Sequence, residues 1–548
     1  MITQWAWGAM LAGVLAAGAW GQAAHPRPGV AHAAKTYAVT GVVLNEVTGD
    51  PVPRATVELL DEILRDTVIA TETGEDGRFT LPGMPAGKYG LRVARRGYIT
   101  SFFNEHEEFS SAIVTGEGQD TEHIEFKLKP TAMVRGMVTD DAGEPVAQAQ
   151  VVLVRKSRST GLGEVLTRSI SGPTDDRGIF EFWNLIPGTY LLAVKATPWF
   201  ALHPHQNNND AAATSSSLDV AYPVTYYDGT TDETAATAIA VTPGDRTEVD
   251  VSLHAVPALR LSVRTSQTQT PGGRGYYNMP MLRQRVFGED EMVPTPASLR
   301  PGSDTAELTG VAPGHYTVAE GNPPKLTEVD AAGTGGVSVD PAAATQTTTI
   351  RVQTRSADGT PLPSPLNLVL MPEEGARNEI GAEVDSGFNK FTGLKAGTYT
   401  MLARTNNAVL AVVSLQAGTE TLAGSRFAVG EKPLTLTALV AQGTTRVRGL
   451  ARKDGKALAG VMIVLVPRDP GANWAMFRRD QSDSDGTFAL RDVVPGQYTV
   501  VAIEEGWGLD WARPEVITRY LPRGQAVTLT SQSGKTVNLP APVEVQPR

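Results

Sequence analysis

The 548-residue chain contains no cysteine. That excludes disulfides, thiolate zinc sites, cysteine nucleophiles, iron–sulfur clusters and a lipid anchor through an N-terminal cysteine, and it is compatible with an oxidising envelope. An excess of basic charge is also missing. Against 59 Asp and Glu stand 48 Lys and Arg, a net −11, with the two signs interspersed. A nucleic-acid partner calls for a basic patch, so none is expected, and a soluble acidic surface is the plain reading. No long helical period occurs outside the N-terminus. After Met1 to about Ala24, no second apolar stretch of membrane-spanning length follows.

The marks of catalysis are as scarce. A zinc peptidase needs an H-x-x-E pair with a distant third ligand, and neither His106-Glu107-Glu108-Phe109 nor His123-Ile124-Glu125-Phe126 has that spacing. His203-Pro204-His205 is a close histidine pair without identifiable further ligands, and a solvated loop is expected there. Ser533-Gly534-Lys535-Thr536 mimics the end of a P-loop but lacks its first glycine and a following helix. No G-x-S-x-G elbow is present. Asp175-Asp176-Arg177-Gly178 and Asp483-Ser484-Asp485-Gly486 hint at calcium loops, yet a downstream Glu is missing and Asp-Gly suits a β-turn. The expectation is no enzyme, no metal and no cofactor.

What the chain does have is a repeated phrase. Val494-Pro495-Gly496-Gln497-Tyr498 recurs as Pro85-Ala86-Gly87-Lys88-Tyr89, Ile186-Pro187-Gly188-Thr189-Tyr190, Ala312-Pro313-Gly314-His315-Tyr316 and Lys395-Ala396-Gly397-Thr398-Tyr399. Pro fixes φ and Gly tolerates φ > 0, so a type II-like turn is predicted. Alternating apolar residues after each Tyr (Tyr89, Leu91, Val93; Tyr498, Val500, Ala502) predict a strand with one buried face. Ten residues before each Tyr stand Phe79, Phe180, Ala306, Asn389 and Phe488; two residues further on stand Leu81, Phe182, Leu308, Phe391 and Leu490. These pairs share a face, and each hairpin is expected to set them opposite its Tyr strand. A buried tyrosine hydroxyl needs an acceptor, for which a turn carbonyl is expected. The five glycines and tyrosines, with Phe79, Phe180 and Phe488, are thus read as structural. With 55 Gly and 37 Pro the whole is a turn-rich, all-β tandem array.

Taken in order, the chain divides as follows. Residues 1–24 read as a signal peptide, although no Lys or Arg precedes Arg27, and an uncleaved anchor is the alternative. Residues 25–36 form a linker. Five β-sandwiches follow at 37–130, 131–257 (with a loop insertion around Gln206 to Asp210), 258–348 (degenerate), 349–441 and 442–548. A Gly-x-Val strand, a Gly-x-Pro-Val turn, an Ala-x-Val-x-Leu strand, Asp-Gly-x-Phe and Pro-Gly-x-Tyr succeed one another. They are clearest around Gly41, Gly136 and Gly449.

This order resembles the carboxypeptidase regulatory-like domain. The resemblance implies a transthyretin-like (prealbumin-like) seven-stranded Greek-key β-sandwich of the carbohydrate-binding-like class, and no peptidase activity, since zinc chemistry in that family belongs to a separate domain. With Tyr226-Tyr227-Asp228-Gly229, Gly506-Trp507 and Asp510-Trp511, the layout is similar to secreted multi-repeat acidobacterial proteins. Trp474, Trp507, Trp511, Tyr226 and Tyr227 lie in non-repeating loops and are the candidate ligand-binding aromatics. They suit a sugar face or a protein anchor, or else plug the edges of small cores. Trp183, out of phase with Phe180 and Phe182, is expected to pack between neighbouring units. The expected function is a secreted, periplasmic or cell-surface binding array with carbohydrate or an envelope protein as partner; a structural or adhesive spacer of elongated shape is the rival.

Overall fold

The computed structural model describes residues 35–61, 66–157, 165–203, 217–265, 267–268, 276–277, 279–299, 304–321, 325–333, 336–340, 347–373, 379–531 and 535–548. The expected signal peptide, most of the linker, the 206–210 stretch, Pro204 and His205, and Ser533 with Gly534 lie outside these residues.

The first unit sets the pattern. Strand β1 (Tyr37–Asn45) lies between β4 (Arg78–Met84), antiparallel, and β8 (Ile124–Leu128), parallel. A second sheet orders β3 (Thr67–Glu72), β2 (Thr56–Asp61) and β5 (Gly87–Ala94). The short strands β6 (Ser101–Phe102) and β7 (Ile113–Thr115) both pair with β5. The alternating residues of the two inner faces meet in a core that includes Val39, Val43, Val57, Leu59, Phe79, Leu81, Leu91, Val93 and Phe126. Each alternates with an outward residue, as a half-buried strand requires.

The same order returns four times. Ala132–Thr139, Leu259–Arg264, Thr347–Ser356 and Thr445–Lys453 each pair antiparallel with the strand that ends in the repeated turn. Each also pairs parallel with a late strand of its own unit. Every unit has its own buried cluster. The third unit, eroded in sequence, keeps both sheets, built on Leu259–Arg264 and on Gly314–Glu320.

Two local expectations need correction. The Asp-Gly-x-Phe strand and the Tyr strand do not form a hairpin. β4 pairs with β1 and β5 with β2, so the turn between them arches from one sheet to the other. Phe79 and Leu81 therefore face the Tyr strand across the core instead of beside it. Nor does the repeated glycine supply a left-handed turn: Gly87, Gly397 and Gly496 have no positive φ, and Gly188 and Gly314, at φ 157° and 159°, lie close to extended backbone. In units 1 and 5 the glycine is there because the tyrosine ring folds back over it. A Cβ on Gly496 would stand 3.1 Å from Tyr498 Cε2, and one on Gly87 3.2 Å from Tyr89 Oη. All five hydroxyls donate to the carbonyl four residues earlier: Tyr89 to Pro85 (3.3 Å), Tyr190 to Ile186 (2.5 Å), Tyr316 to Ala312 (2.8 Å), Tyr399 to Lys395 (2.9 Å) and Tyr498 to Val494 (2.6 Å).

The left-handed residue lies elsewhere, six positions before each tyrosine. Gly83, Asn184, Gly310, Gly393 and Asp492 all have φ between 52° and 77°. At each of these points the pairing with the unit's first strand slips, which is a β-bulge. Gly, Asn and Asp are the residues that tolerate this conformation. The bulge turns the strand end out of its own sheet and starts the arch.

Two seams depart from simple repetition. In unit 5, the segment Gly506–Arg523 (short 3-10 turns and the helix Pro514–Ile517) covers the outer face of Met462–Pro467 and Gly496–Ile503 as a third layer. Strand Met462–Pro467 is consequently buried on both faces. In unit 2 the corresponding outer face, Val152, Val154 and Ala193, is covered by Val286 and Phe287 of unit 3.

Candidate functional site at the junction of units 1, 2 and 5

The first and last units touch. The segment between β6 and β7 lies against strand Arg478–Gln481 and the turn after it. Ser484 N donates to Ala112 O (3.0 Å), Ala112 N to Asp483 Oδ1 (2.9 Å), Val114 N to Ser484 Oγ (2.9 Å) and Ser111 Oγ to Ser482 O (2.8 Å). Gln481, fully buried, donates through Nε2 to Asn104 O (2.7 Å) and Ser111 Oγ (2.9 Å), with its Oε1 3.1 Å from His106 Nδ1. Lys88 pairs with Asp483 and donates to Thr487 Oγ1 (2.6 Å).

Rings and charges finish the contact. His106 stacks on Trp507 with centroids 5.0 Å apart and planes 5° apart, and Phe109 lies 5.7 Å from the same indole. The buried Arg479 guanidinium lies 4.3 Å from the Trp511 ring and 4.8 Å from Phe109, and pairs with Glu107 (2.7 Å) and Glu108 (3.3 Å). Cation–π contact and ion pairing both strengthen where water is excluded. Burial pushes the Asp483 carboxyl up, against the pull of Lys88. Burial also pushes partly buried Asp480, whose Oδ2 accepts from Ala489 N (2.6 Å), up to about 7.

Beside this contact a cleft of about 920 Å³ opens between units 1, 2 and 5. Ile99, Phe102, Ile186 and Trp507 give it apolar surface; Lys127, Lys129, Arg155 and Lys156 stand among Glu46, Glu105, Glu107 and Glu125. The pairs Lys127–Glu125 (3.3 Å) and Lys129–Glu46 (3.9 Å) leave the charges mixed in sign. Apolar ring surface with interspersed donors and acceptors can hold a polar ligand that has an apolar face.

The aromatics singled out by sequence fall in three places. Trp511, 6 % exposed, is a core residue of the third layer, packed on Phe477 at 5.6 Å; Trp474 and Trp507 are partly buried in the same cluster. Only Trp507 reaches the cleft. Tyr226, 3 % exposed, is buried in the seam between units 2 and 3 against Phe287 (5.2 Å), and Tyr227 packs on the core of unit 2. Neither Trp511 nor Tyr226 therefore presents a face to a ligand, because each covers the outer side of a sheet. Trp183 does the reverse of what was expected: it is 74 % exposed on the outer face of its sheet, between no units. His203 is not solvated either. It pairs with Asp219 (2.9 Å), which also accepts from Arg260 of unit 3 (3.1 Å), in a largely buried triad.

Sequence reasoning missed Lys88, His106, Phe109, Ser111, Arg479 and Gln481. They lie some 370 to 400 positions from their partners, and no periodicity joins them. One signal did exist: the unbroken apolar run Val461–Val466 marks a strand buried on both faces, hence a covering layer.

Fold and junction together define a protein of serially joined transthyretin-like β-sandwiches. Residues 38–129, its first unit, match the carboxypeptidase regulatory-like domain. No curated protein matches the chain. Among solved structures, the Bacillus anthracis TIE protein is similar at 13 % identity over 74 % of this chain and 74 % of its own, with a TM-score of 0.18. A streptococcal ancillary pilin is similar at 10 % identity over 53 % of this chain and all of its own (TM-score 0.18). A minor pilin of Streptococcus agalactiae follows at 14 % identity over 43 % of this chain and all of its own (TM-score 0.20). At these scores the likeness carries no argument about arrangement or function.

Proposed function

We propose that the protein is a non-catalytic, exported binding protein of the cell envelope, and that the cleft between units 1, 2 and 5 takes a carbohydrate. One observation carries this reading: the cleft combines the Phe102 and Trp507 rings with a mixed-sign ring of lysines, arginine and glutamates. Sugars offer an apolar ring face for stacking and hydroxyls that both donate and accept, which such walls satisfy without a single-sign field. Calorimetry of the full chain with envelope and plant polysaccharides, preceded by a glycan array, tests it. Phe102→Ala and Arg155→Ala are expected to weaken binding about tenfold each, the loss of roughly 1.4 kcal/mol per site. Absence of binding across the array would sink the reading.

A structural or adhesive role is the second reading, favoured by the amount of aromatic surface spent on packing one unit against another. It predicts retention by intact envelope through protein contacts, with no response to free glycans.

A further inference from the structure

We infer that the contact between units 1 and 5 is an exchangeable head-to-tail joint: the surface of unit 5 that holds unit 1 of its own chain also takes unit 1 of a second copy.

Both sides of the joint are complete without each other. Among the described residues, the core of unit 1 contains none of unit 5, and neither the main core of unit 5 nor its third layer contains one of unit 1. Parting them exposes hydrogen-bonding groups and rings, not an unfinished core. The contact is mixed: polar pairs of Lys88 with Asp483 and of Arg479 with Glu107 and Glu108, and the hydrogen bonds of Gln481 and Ser482, surround the His106 and Phe109 rings on Trp507. That chemistry belongs to interfaces between separately folded domains, for which relative motion is the ordinary expectation.

The remaining seams differ in strength in a way that allows opening. Units 2 and 3 share a buried cluster and the Asp219 triad, in which Arg260 of unit 3 pairs with Asp219 of unit 2. Units 4 and 5 share one too, since Ala411 and Ala441 lie within the core of unit 5. Among the described residues, units 3 and 4 are joined by the half-exposed pair of Lys395 with Glu328 at 2.5 Å. Two rigid pairs with a loose joint between them can swing apart once the 1–5 contact releases.

The joint uses two different surfaces, so between copies it is heterologous. It closes if two chains exchange, and it propagates if they do not. Within one chain the tether sets an effective concentration on the order of 1 mM, so the closed form wins in dilute solution and exchange gains where copies crowd.

The lack of native cysteine makes the test clean. Ala112 and Ser484 face each other across the joint, with Ser484 N donating to Ala112 O at 3.0 Å. One full-length preparation carries Ala112→Cys, a second of different mass carries Ser484→Cys, and a third carries both. Mixed at high concentration and oxidised, the single variants are expected to give a mixed disulfide dimer at least several-fold above either alone. The double variant shifts from an internal cross-link to a ladder as concentration rises. Asp483→Lys is expected to suppress the mixed dimer and Lys88→Asp in the same chains to restore it. Sedimentation of the unmodified protein supplies a reading independent of any substitution. An internal cross-link in the double variant without a mixed dimer, or a monomer mass unchanged up to the effective concentration of about 1 mM, overturns the proposal.

Discussion

At the scale of single residues, each unit is fixed by a tyrosine whose hydroxyl meets a carbonyl four positions back. Removing the hydroxyl of Tyr498 leaves the buried Val494 carbonyl without that donor. Tyr498→Phe is expected to destabilise unit 5 by about 1 kcal/mol in chemical denaturation, with the slope unchanged. The bulge residue offers the opposite sign. Asn184 stands at φ 55° where three other units have glycine. Asn184→Gly removes a left-handed strain of about 1 kcal/mol and is expected to raise the midpoint, partly offset by the entropy that glycine loses on folding. The tyrosine was legible in the sequence because it recurs at a fixed distance from Asp-Gly-x-Phe. The bulge was not, because Gly, Asn and Asp fill one conformational role with three different letters.

At the scale of elements, strand Arg478–Gln481 and the turn after it join the ends of the chain, and the strand carries a buried carboxyl whose titration burial moves. Asp480 shares a small cavity with Asp483, Arg479 and Arg491 of its own unit and with Glu108 of unit 1, and Lys88 approaches from β5. Burial raises the Asp480 carboxyl from 3.8 to about 7, so the folded state binds its proton more tightly than the unfolded chain does. Its contribution to stability is therefore full below the unfolded value and is lost as pH rises through about 7. Unit 5 is expected to lose stability between mildly acidic and neutral pH. Asp480→Asn, which keeps an acceptor for Ala489 N, should flatten that slope in denaturation curves taken across the range. Nothing in the local sequence Arg479-Asp480-Gln481 announces this, since the cover that desolvates the carboxyl comes in part from unit 1.

At the scale of the whole molecule, the all-β class and the repeated order could be read from turn chemistry and period-two alternation, which act over a few residues. The circuit of contacts that brings unit 1 to unit 5 depends on angles between units, and these have no local code. We propose that the five units are separate domains bounded near residues 130, 257, 348 and 441. Limited proteolysis is expected to cut first near 348, between units 3 and 4, and to spare the seam between units 2 and 3. Small-angle scattering should show a closed particle in dilute solution and a longer one for Asp483→Lys. The elongated form expected of a spacer is then the open state of this chain.

The parallel pairing of first and late strands has a mechanical meaning. Parallel neighbours start at the same end, so the chain comes in at one pole of each unit and leaves at the other. A pull on the two termini loads the hydrogen bonds between these strands in shear, all together, whereas strands peeled from one end would give way bond by bond. In unit 4 the pairing runs unbroken from Ile350 with Leu434 to Ser356 with Val440, while in units 2 and 5 it is divided between two short strands. Stretched between two anchorages, the opened chain is expected to yield at units 2 and 5 first and to hold longest at unit 4.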